Sequence, residues 1–157
     1  MALSKQRPKH LKKSNFFPRL TKKNHLVTSD YDAKYNCIAF AYGLTNRKLW
    51  PVYHPDFWWP PGIPRDEVVD SFKKLFESKG YVECQDGSLE DGYEKVAIFG
   101  KLGKPTHAAK QVDETKWASK LGDAFDIEHA RDAVSGGGYG EILAYMKRPI
   151  VAVSPSQ

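Results

Sequence analysis

The hydrophobic pattern of the chain changes at Gly80, from helical spacing before it to strand spacing after it. Before Gly80, five apolar side chains recur on one face of a helix: Val68, Val69, Phe72, Leu75 and Phe76. After Gly80, short segments separated by Gly, Pro, Asp or Glu predict strands over residues 81–84, 95–99, 107–112, 116–121 and 141–146. Helices followed by antiparallel strands make an α+β layout, with N-terminal helices packed on a sheet of about five strands.

Other segments complete this outline. A short buried helix is predicted from Asn36 or Cys37 to about Leu44, because the segment is apolar without alternation and Gly43 can end it. Residues 50–64 hold three of the four tryptophans and five prolines, which predicts an aromatic loop without regular structure. Residues 126–134 could form a further short helix.

The basic residues are concentrated at the N-terminus. Eight Lys and Arg residues and no acidic residue precede Asn24, so residues 1–24 are expected to form a flexible basic arm. The other 16 basic residues stand against 19 acidic ones, which gives the rest of the chain a net charge of about −3. We expect residues 25–148 to form a single domain, unsuited to nucleic acid, and residues 149–157 a C-terminal tail.

The sequence contains no signal for export or membrane insertion. It has no apolar run of about 18 residues, and its N-terminus lacks the apolar stretch of a secretory signal. We therefore expect no membrane span and a cytoplasmic protein, or one secreted by a route without a cleavable signal peptide. Cys37 and Cys84 belong to no zinc-type spacing, so we expect free thiols and neither a metal nor a cofactor.

Cys37 stands where the short helix should begin. The free N–H groups of a first helical turn and the positive end of the helix dipole stabilise a thiolate at that position. Asn36 could direct its amide at an oxyanion or cap the helix, and the N-cap preference of Asn favours capping. The alternative is that Cys37 is simply a small buried residue.

His107 stands between Thr106 and Ala108, at the start of a predicted strand. Small neighbours leave space beside the imidazole, and the ordinary pKa of His suits removal of a proton from a thiol near neutral pH. The alternative is a hydrogen-bonded structural histidine at the edge of a strand.

A third polar residue would have to orient the His107 ring. If the turn between the two neighbouring strands is centred on Glu114, Ser119 shares a face of the sheet with His107 and could hold its tautomer. A register shifted by one residue would bring Lys120 there instead. Lysine only donates hydrogen bonds and would disfavour an imidazolium.

Further residues could support such a site. Asp126 and His129 follow the strand predicted over residues 116–121, and they are alternative groups that could orient the His107 ring. Trp58, Trp59 and Trp117 could wall a substrate groove with flat apolar surface. Equally, these rings could cover the core, as large aromatic side chains usually do.

Three motifs carry a resemblance: Tyr-Asn-Cys-Ile-Ala, Pro-Thr-His-Ala-Ala and Trp-Ala-Ser-Lys-Leu-Gly. Their order resembles papain-like cysteine hydrolases, nearest to the NlpC-type bacterial cell-wall peptidases and amidases. More narrowly, the motifs resemble a bacterial domain family that is functionally uncharacterised. The resemblance implies a papain-like fold with Cys37 as nucleophile and His107 as base. Ser119 departs from the His, Asn, Gln or Asp that is typical of the third position.

The leading hypothesis is hydrolysis or acyl transfer at an amide or thioester carbonyl, through an acyl-enzyme on Cys37. The resemblance implies a peptide, isopeptide or peptidoglycan bond as substrate. Without an export signal, a secreted effector or toxin or a cytosolic deamidase or peptidase fits better than a wall enzyme. The competing hypothesis is a non-catalytic protein-interaction module, whose Trp-rich loop is the contact surface and whose basic arm reaches an acidic partner. Nucleic-acid binding would rest on the arm and be lost with it.

Overall fold

The computed structural model describes residues 16–122 and 124–150. Within these ranges the helices are α1 (Cys37–Tyr42) and α2 (Val69–Glu77). The strands are β1 (His25–Val27), β2 (Lys48–Leu49), β3 (Phe57–Trp58), β4 (Val82–Cys84), β5 (Tyr93–Lys101), β6 (Lys104–Gln111), β7 (Trp117–Lys120), β8 (Asp126–His129) and β9 (Glu141–Pro149).

One antiparallel sheet dominates the described part of the chain. Its seven strands follow the order β1-β8-β7-β6-β5-β9-β4, while β2 and β3 form a separate parallel pair. The longest strands, β5 and β9, have nine residues each and pair with one another. Six consecutive residues of β5 are buried, because both faces of the sheet are covered.

The expected fold class, a papain-like domain with N-terminal helices packed on about five strands, is wrong. The described residues form mainly antiparallel sheet, with two helices of only six and nine residues. The main sheet has seven strands because β1 and β8 extend it beyond β7. The expected aromatic loop also contains a short strand, β3.

The helix expected over residues 126–134 is a strand for its first four residues. This segment, β8, pairs with β7 on one side and with β1 on the other. Ile127 and His129 are buried while their neighbours are half-buried, which is the alternation of a strand. Pairing on both sides satisfies the backbone here, and it overrides the local tendency of Asp126 to begin a helix.

Other local predictions are confirmed. Helix α1 begins at Cys37 after an Asn36 cap, and Gly43 follows its last residue in the left-handed region, with φ of 106°. Lys110 pairs with Ala118, which is the register centred on Glu114.

The sheet separates two hydrophobic clusters. The helix-side cluster is formed by side chains from both helices and the aromatic loop, which pack on the sheet at Ile98 and Ala108. The opposite cluster includes Phe99 and Ala109, and it is covered by residues 133–139 and by the N-terminal segment. Within the described ranges, neither helix is long and apolar enough to cross a membrane.

Part of the segment expected to form the basic arm contacts the sheet. Phe17 and Leu20 are buried in the opposite cluster. Residues 1–15 and 151–157, which fall in the expected arm and C-terminal tail, lie outside the described residues.

We expect Asn36→Ala to lower the free energy of unfolding by about 2 kcal/mol. Asn36 Oδ1 accepts hydrogen bonds from the N–H groups of Ala39 (3.1 Å) and Leu49 (3.0 Å), and its Nδ2 donates to the Leu49 carbonyl (2.9 Å). Urea denaturation measures the loss. Asn46→Ala is the control, because Asn46 is exposed; equal losses in the two variants would contradict the role of the cap.

Candidate active site

A line of buried polar side chains crosses β6, β7 and β8. His107 Nε2 lies 2.9 Å from Ser119 Oγ, which lies 2.7 Å from His129 Nε2. His129 Nδ1 in turn lies 2.7 Å from the carbonyl oxygen of Ala130. Because Ala109 faces Ser119 in the observed register, His107 and Ser119 lie on the same face of the sheet.

Both imidazoles are neutral at neutral pH. Burial lowers the pKa of His129 to about 4, against the hydrogen bond to Ala130, which acts in the opposite direction. Burial also lowers the pKa of His107 well below its ordinary value, and the nearby His129 adds to this effect. In low-dielectric surroundings the charged form of either ring is disfavoured.

The Ala130 carbonyl sets the direction of the whole chain of hydrogen bonds. A carbonyl oxygen only accepts, so His129 Nδ1 carries the hydrogen and His129 Nε2 is an acceptor. The Ser119 hydroxyl therefore donates to His129, and its oxygen accepts from the N–H of His107 Nε2. It follows that His107 is the Nε2–H tautomer, with a lone pair on Nδ1.

The lone pair on His107 Nδ1 has no hydrogen-bond partner among the described residues. The side chain is 0% exposed, and its ring stacks on Tyr139 with 3.8 Å between centroids and an interplanar angle of 7°. A buried acceptor without a partner costs about 1–3 kcal/mol. Groups of this kind are rare, and they often have a catalytic role.

Cys37 lies against the backbone on either side of His107. Its Sγ is 4.0 Å from the Thr106 carbonyl oxygen, and the N–H of Ala108 is close enough to lower its pKa. Ala108 faces α1, while His107 points to the opposite cluster with Phe99. In the described part of the chain, no hydrogen bond joins Sγ to the imidazole.

The Cys37 thiol is protonated at neutral pH. Burial raises its pKa to about 11, although the N–H groups of Ala108 and Ile38 and the charge of Lys120 act in the opposite direction. The pair thus holds a proton on sulfur and an acceptor lone pair on His107. Thiol and imidazole together have the protonation states of a nucleophile and its general base.

Lys120 does not orient His107, since it lies on the helix side of the sheet. It is fully buried, and its ammonium lies 4.7 Å from the centre of the Tyr35 ring. Nζ donates to three backbone carbonyls: Asp32 (2.5 Å), Gly122 (2.9 Å) and Ala124 (2.9 Å). Lys120 thereby connects the turn after β7 to the segment before α1 by hydrogen bonds.

Asp126 belongs to the same group rather than to the histidine chain. Its carboxylate accepts from the Tyr35 hydroxyl at 2.9 Å, and its backbone N–H donates to Ser29 Oγ at 2.8 Å. Burial raises the pKa of this carboxyl, partly offset by the Tyr35 hydrogen bond and the Lys120 charge. Of the two alternative orienting groups, the structure brings His129 to Ser119 and leaves Asp126 apart.

The three tryptophans suggested for a substrate groove do not share one. Trp59 is buried in the helix-side cluster and Trp117 in the opposite cluster. Trp58 is half-buried beneath Arg47, whose guanidinium carbon lies 4.8 Å from the centre of the ring. Sequence reasoning instead missed Tyr139, although an aromatic residue within a run of glycines was the available signal.

A family model described as Domain of unknown function (DUF7689) matches residues 26–147. The chain belongs to the DUF7689 family. The matched range contains Cys37, His107, Ser119 and His129, so the entire histidine chain lies within the DUF7689 domain. No curated protein and no solved structure matches the chain. The family description carries no activity, and the function has to be argued from the site.

The buried histidines should make the fold weaker as the pH falls. The unfolded chain binds a proton at each His near pH 6.5, whereas folded His129 does so only at about pH 4. The folded pKa is thus depressed, and stability that is present above pH 6.5 is lost progressively towards pH 4. His129 alone accounts for about 3 kcal/mol of this loss.

Urea denaturation at about pH 7.5 and about pH 5 measures this dependence. His129→Gln should flatten it, because the variant has no imidazole to protonate at this position. His54→Gln removes an exposed histidine and should leave it unchanged. An identical pH dependence in the parent and in His129→Gln would contradict the assignment.

Proposed function

We propose that this DUF7689 protein is a cysteine hydrolase or acyltransferase, with Cys37 as nucleophile, His107 as general base and Ser119 as the residue that orients the base. One observation carries the proposal. The hydrogen bonds from Ala130 through His129 and Ser119 leave His107 Nδ1 as a bare acceptor, at the residue whose flanking backbone contacts Cys37 Sγ. The large majority of buried side-chain polar atoms are hydrogen-bonded, so a buried ring nitrogen without a partner calls for an explanation.

The chemistry follows from the protonation states. Nδ1 of His107 takes the S–H proton as Cys37 Sγ bonds to the substrate carbonyl carbon. The imidazolium then returns this proton to the leaving group as the scissile C–N or C–S bond breaks, which leaves a thioester on Cys37. Water, deprotonated by His107, cleaves the thioester and restores the thiol; an amine in place of water would give acyl transfer.

Ser119 orients the His107 ring without carrying a charge. Its hydroxyl oxygen accepts from Nε2–H and is itself held by His129. A carboxylate at this position would stabilise the imidazolium by opposite charge, whereas a hydroxyl contributes only a hydrogen bond. We therefore infer that His107 is a weak base while it is buried.

The reaction also requires that sulfur and imidazole come within hydrogen-bonding distance. Sγ contacts the backbone at Thr106 and Ala108, whereas the His107 ring lies on the other face of the sheet, so β6 has to rearrange at His107 before the two groups meet. The resemblance to NlpC-type enzymes implies a peptide, isopeptide or peptidoglycan amide as substrate, and we retain that class as part of the proposal.

A second candidate function is a non-catalytic protein-interaction module. The burial of Cys37, which is 7% exposed, favours it, because a nucleophile has to be reached by its substrate. The Trp-rich loop is a weak contact surface, since Trp50 and Trp59 each lie 5.3 Å from the Phe72 ring. Tyr53, which is 90% exposed, is the aromatic side chain of this loop that a partner would meet.

Acetylation by p-nitrophenyl acetate separates the two functions, in a Cys84→Ser background where Cys37 is the remaining thiol. With His107 as base, the acetylation rate of Cys37 should be nearly flat with pH between about 6 and 9. In His107→Ala only the thiolate can react, so the rate should rise about tenfold per pH unit.

Mass spectrometry locates the acetyl group, and His54→Ala serves as the matched histidine control with a flat profile. A parent protein whose rate already rises about tenfold per pH unit would contradict the general-base role. That outcome would favour the interaction module.

A further inference from the structure

Tyr139 covers His107 from within a run of glycines. We call residues 136–140, Gly-Gly-Gly-Tyr-Gly, the glycine lid. Besides the stacked ring, the Tyr139 carbonyl accepts a hydrogen bond of 2.5 Å from Thr106 Oγ1, beside Cys37. The lid therefore contacts both Thr106 and His107 on β6, and Tyr139 is buried in doing so.

The first described residues hold this lid down. We call residues 16–19 the N-terminal latch. The rings of Phe16 and Phe17 meet Tyr139 edge to face, with centroids 5.0 and 5.4 Å away. The Phe16 carbonyl accepts from the Gly138 N–H at 2.8 Å, and Arg19 donates to Ser135 Oγ at 2.8 Å.

The glycines allow this close contact. A Cβ at Gly138 would overlap the Phe16 ring, and one at Gly137 would overlap the Phe16 carbonyl oxygen. Gly136 and Gly140, at the two ends of the lid, have φ of 85° and 74°, a conformation that other residues rarely adopt. Tyr139 is the one residue of the lid with a side chain beyond a hydrogen, so its ring contacts and those of the latch hold the lid in place.

We propose that the glycine lid closes the Cys37–His107 site in the resting protein and that release of the N-terminal latch opens it. The inference rests on the function proposed above. With Cys37 7% exposed and His107 0% exposed, no substrate carbonyl reaches either group until a covering segment moves. The lid stacks on the base and accepts a hydrogen bond from Thr106, whose carbonyl contacts Cys37 Sγ, so its displacement opens the site from the His107 side.

Opening would also activate the pair. Burial is the largest cause of both the raised pKa of Cys37 and the lowered pKa of His107. Water that enters under the lid relieves the burial of His107 and raises its pKa, which makes proton transfer from sulfur to nitrogen easier. The lid thus controls the basicity of His107 as well as access to the site.

Alkylation of Cys37 by iodoacetamide, in the Cys84→Ser background of the full chain, measures opening directly. Gly138→Ala displaces the Phe16 ring and replaces none of Cys37, His107 or Ser119, and it should raise the alkylation rate at least about tenfold. Gly87→Ala is the matched control, because its Cβ would lie 2.7 Å from Tyr145 Cε1 rather than under the latch, and its rate should stay unchanged. An unchanged rate in Gly138→Ala would overturn the lid.

The dependence of the alkylation rate on low urea concentrations distinguishes the lid from general destabilisation. Lid opening exposes little surface, so the rate of Gly138→Ala should vary weakly with urea. A dependence as steep as that of global unfolding would overturn the lid.

The same variants distinguish this inference from the proposed function. Faster alkylation in Gly138→Ala, together with acetylation that has no dependence on His107, would support the lid and refute the hydrolase. Unchanged alkylation together with a flat acetylation profile that requires His107 would refute the lid and leave the hydrolase standing.

Discussion

The site depends on the carbonyl of Ala130, because this group sets the direction of every hydrogen bond up to His107. His129 donates from Nδ1 and accepts at Nε2, Ser119 donates and accepts through Oγ, and His107 donates from Nε2. The strands β6, β7 and β8 hold these side chains in line, and among the described residues His107 Nδ1 has no hydrogen-bond partner. A lone pair inside the protein, next to the backbone that Cys37 contacts, is the result.

Strand β6 contributes side chains to both hydrophobic clusters, one on each face of the sheet. On its helix side, Ala108 packs under α1 and brings the Cys37 sulfur to the backbone. On its other side, His107 stacks on Tyr139, which the N-terminal latch holds in place. The same burial that stabilises the sheet keeps the thiol protonated and the imidazole neutral. Under the proposed function, stability and reactivity are therefore opposed at Cys37 and His107, and the proposed lid reconciles them.

The successes of sequence reasoning were local. The cap at Asn36, the end of α1 at Gly43 and the β6–β7 register each depend on residues close together in the chain. The failures involved segments distant in sequence: residues 126–129 are a strand because they lie between β7 and β1, and nothing within the segment encodes that pairing. The papain-like fold was predicted wrongly for the same reason, because the order of motifs along the chain does not reveal how many strands the sheet has.

For the site, the sequence by itself determined that a short helix begins at Asn36 or Cys37 and that His107 lies on a strand, and it left Ser119 and Lys120 as the two candidates for the same face. These features follow from capping, small neighbours and the two-residue period of a strand. Only the tertiary structure decided that His129 fixes the tautomer, that Tyr139 covers the ring and that Lys120 faces away. The reason is that hydrogen-bond direction and burial depend on atoms brought together from β6, β8 and the glycine lid, and no local pattern specifies which of them will meet.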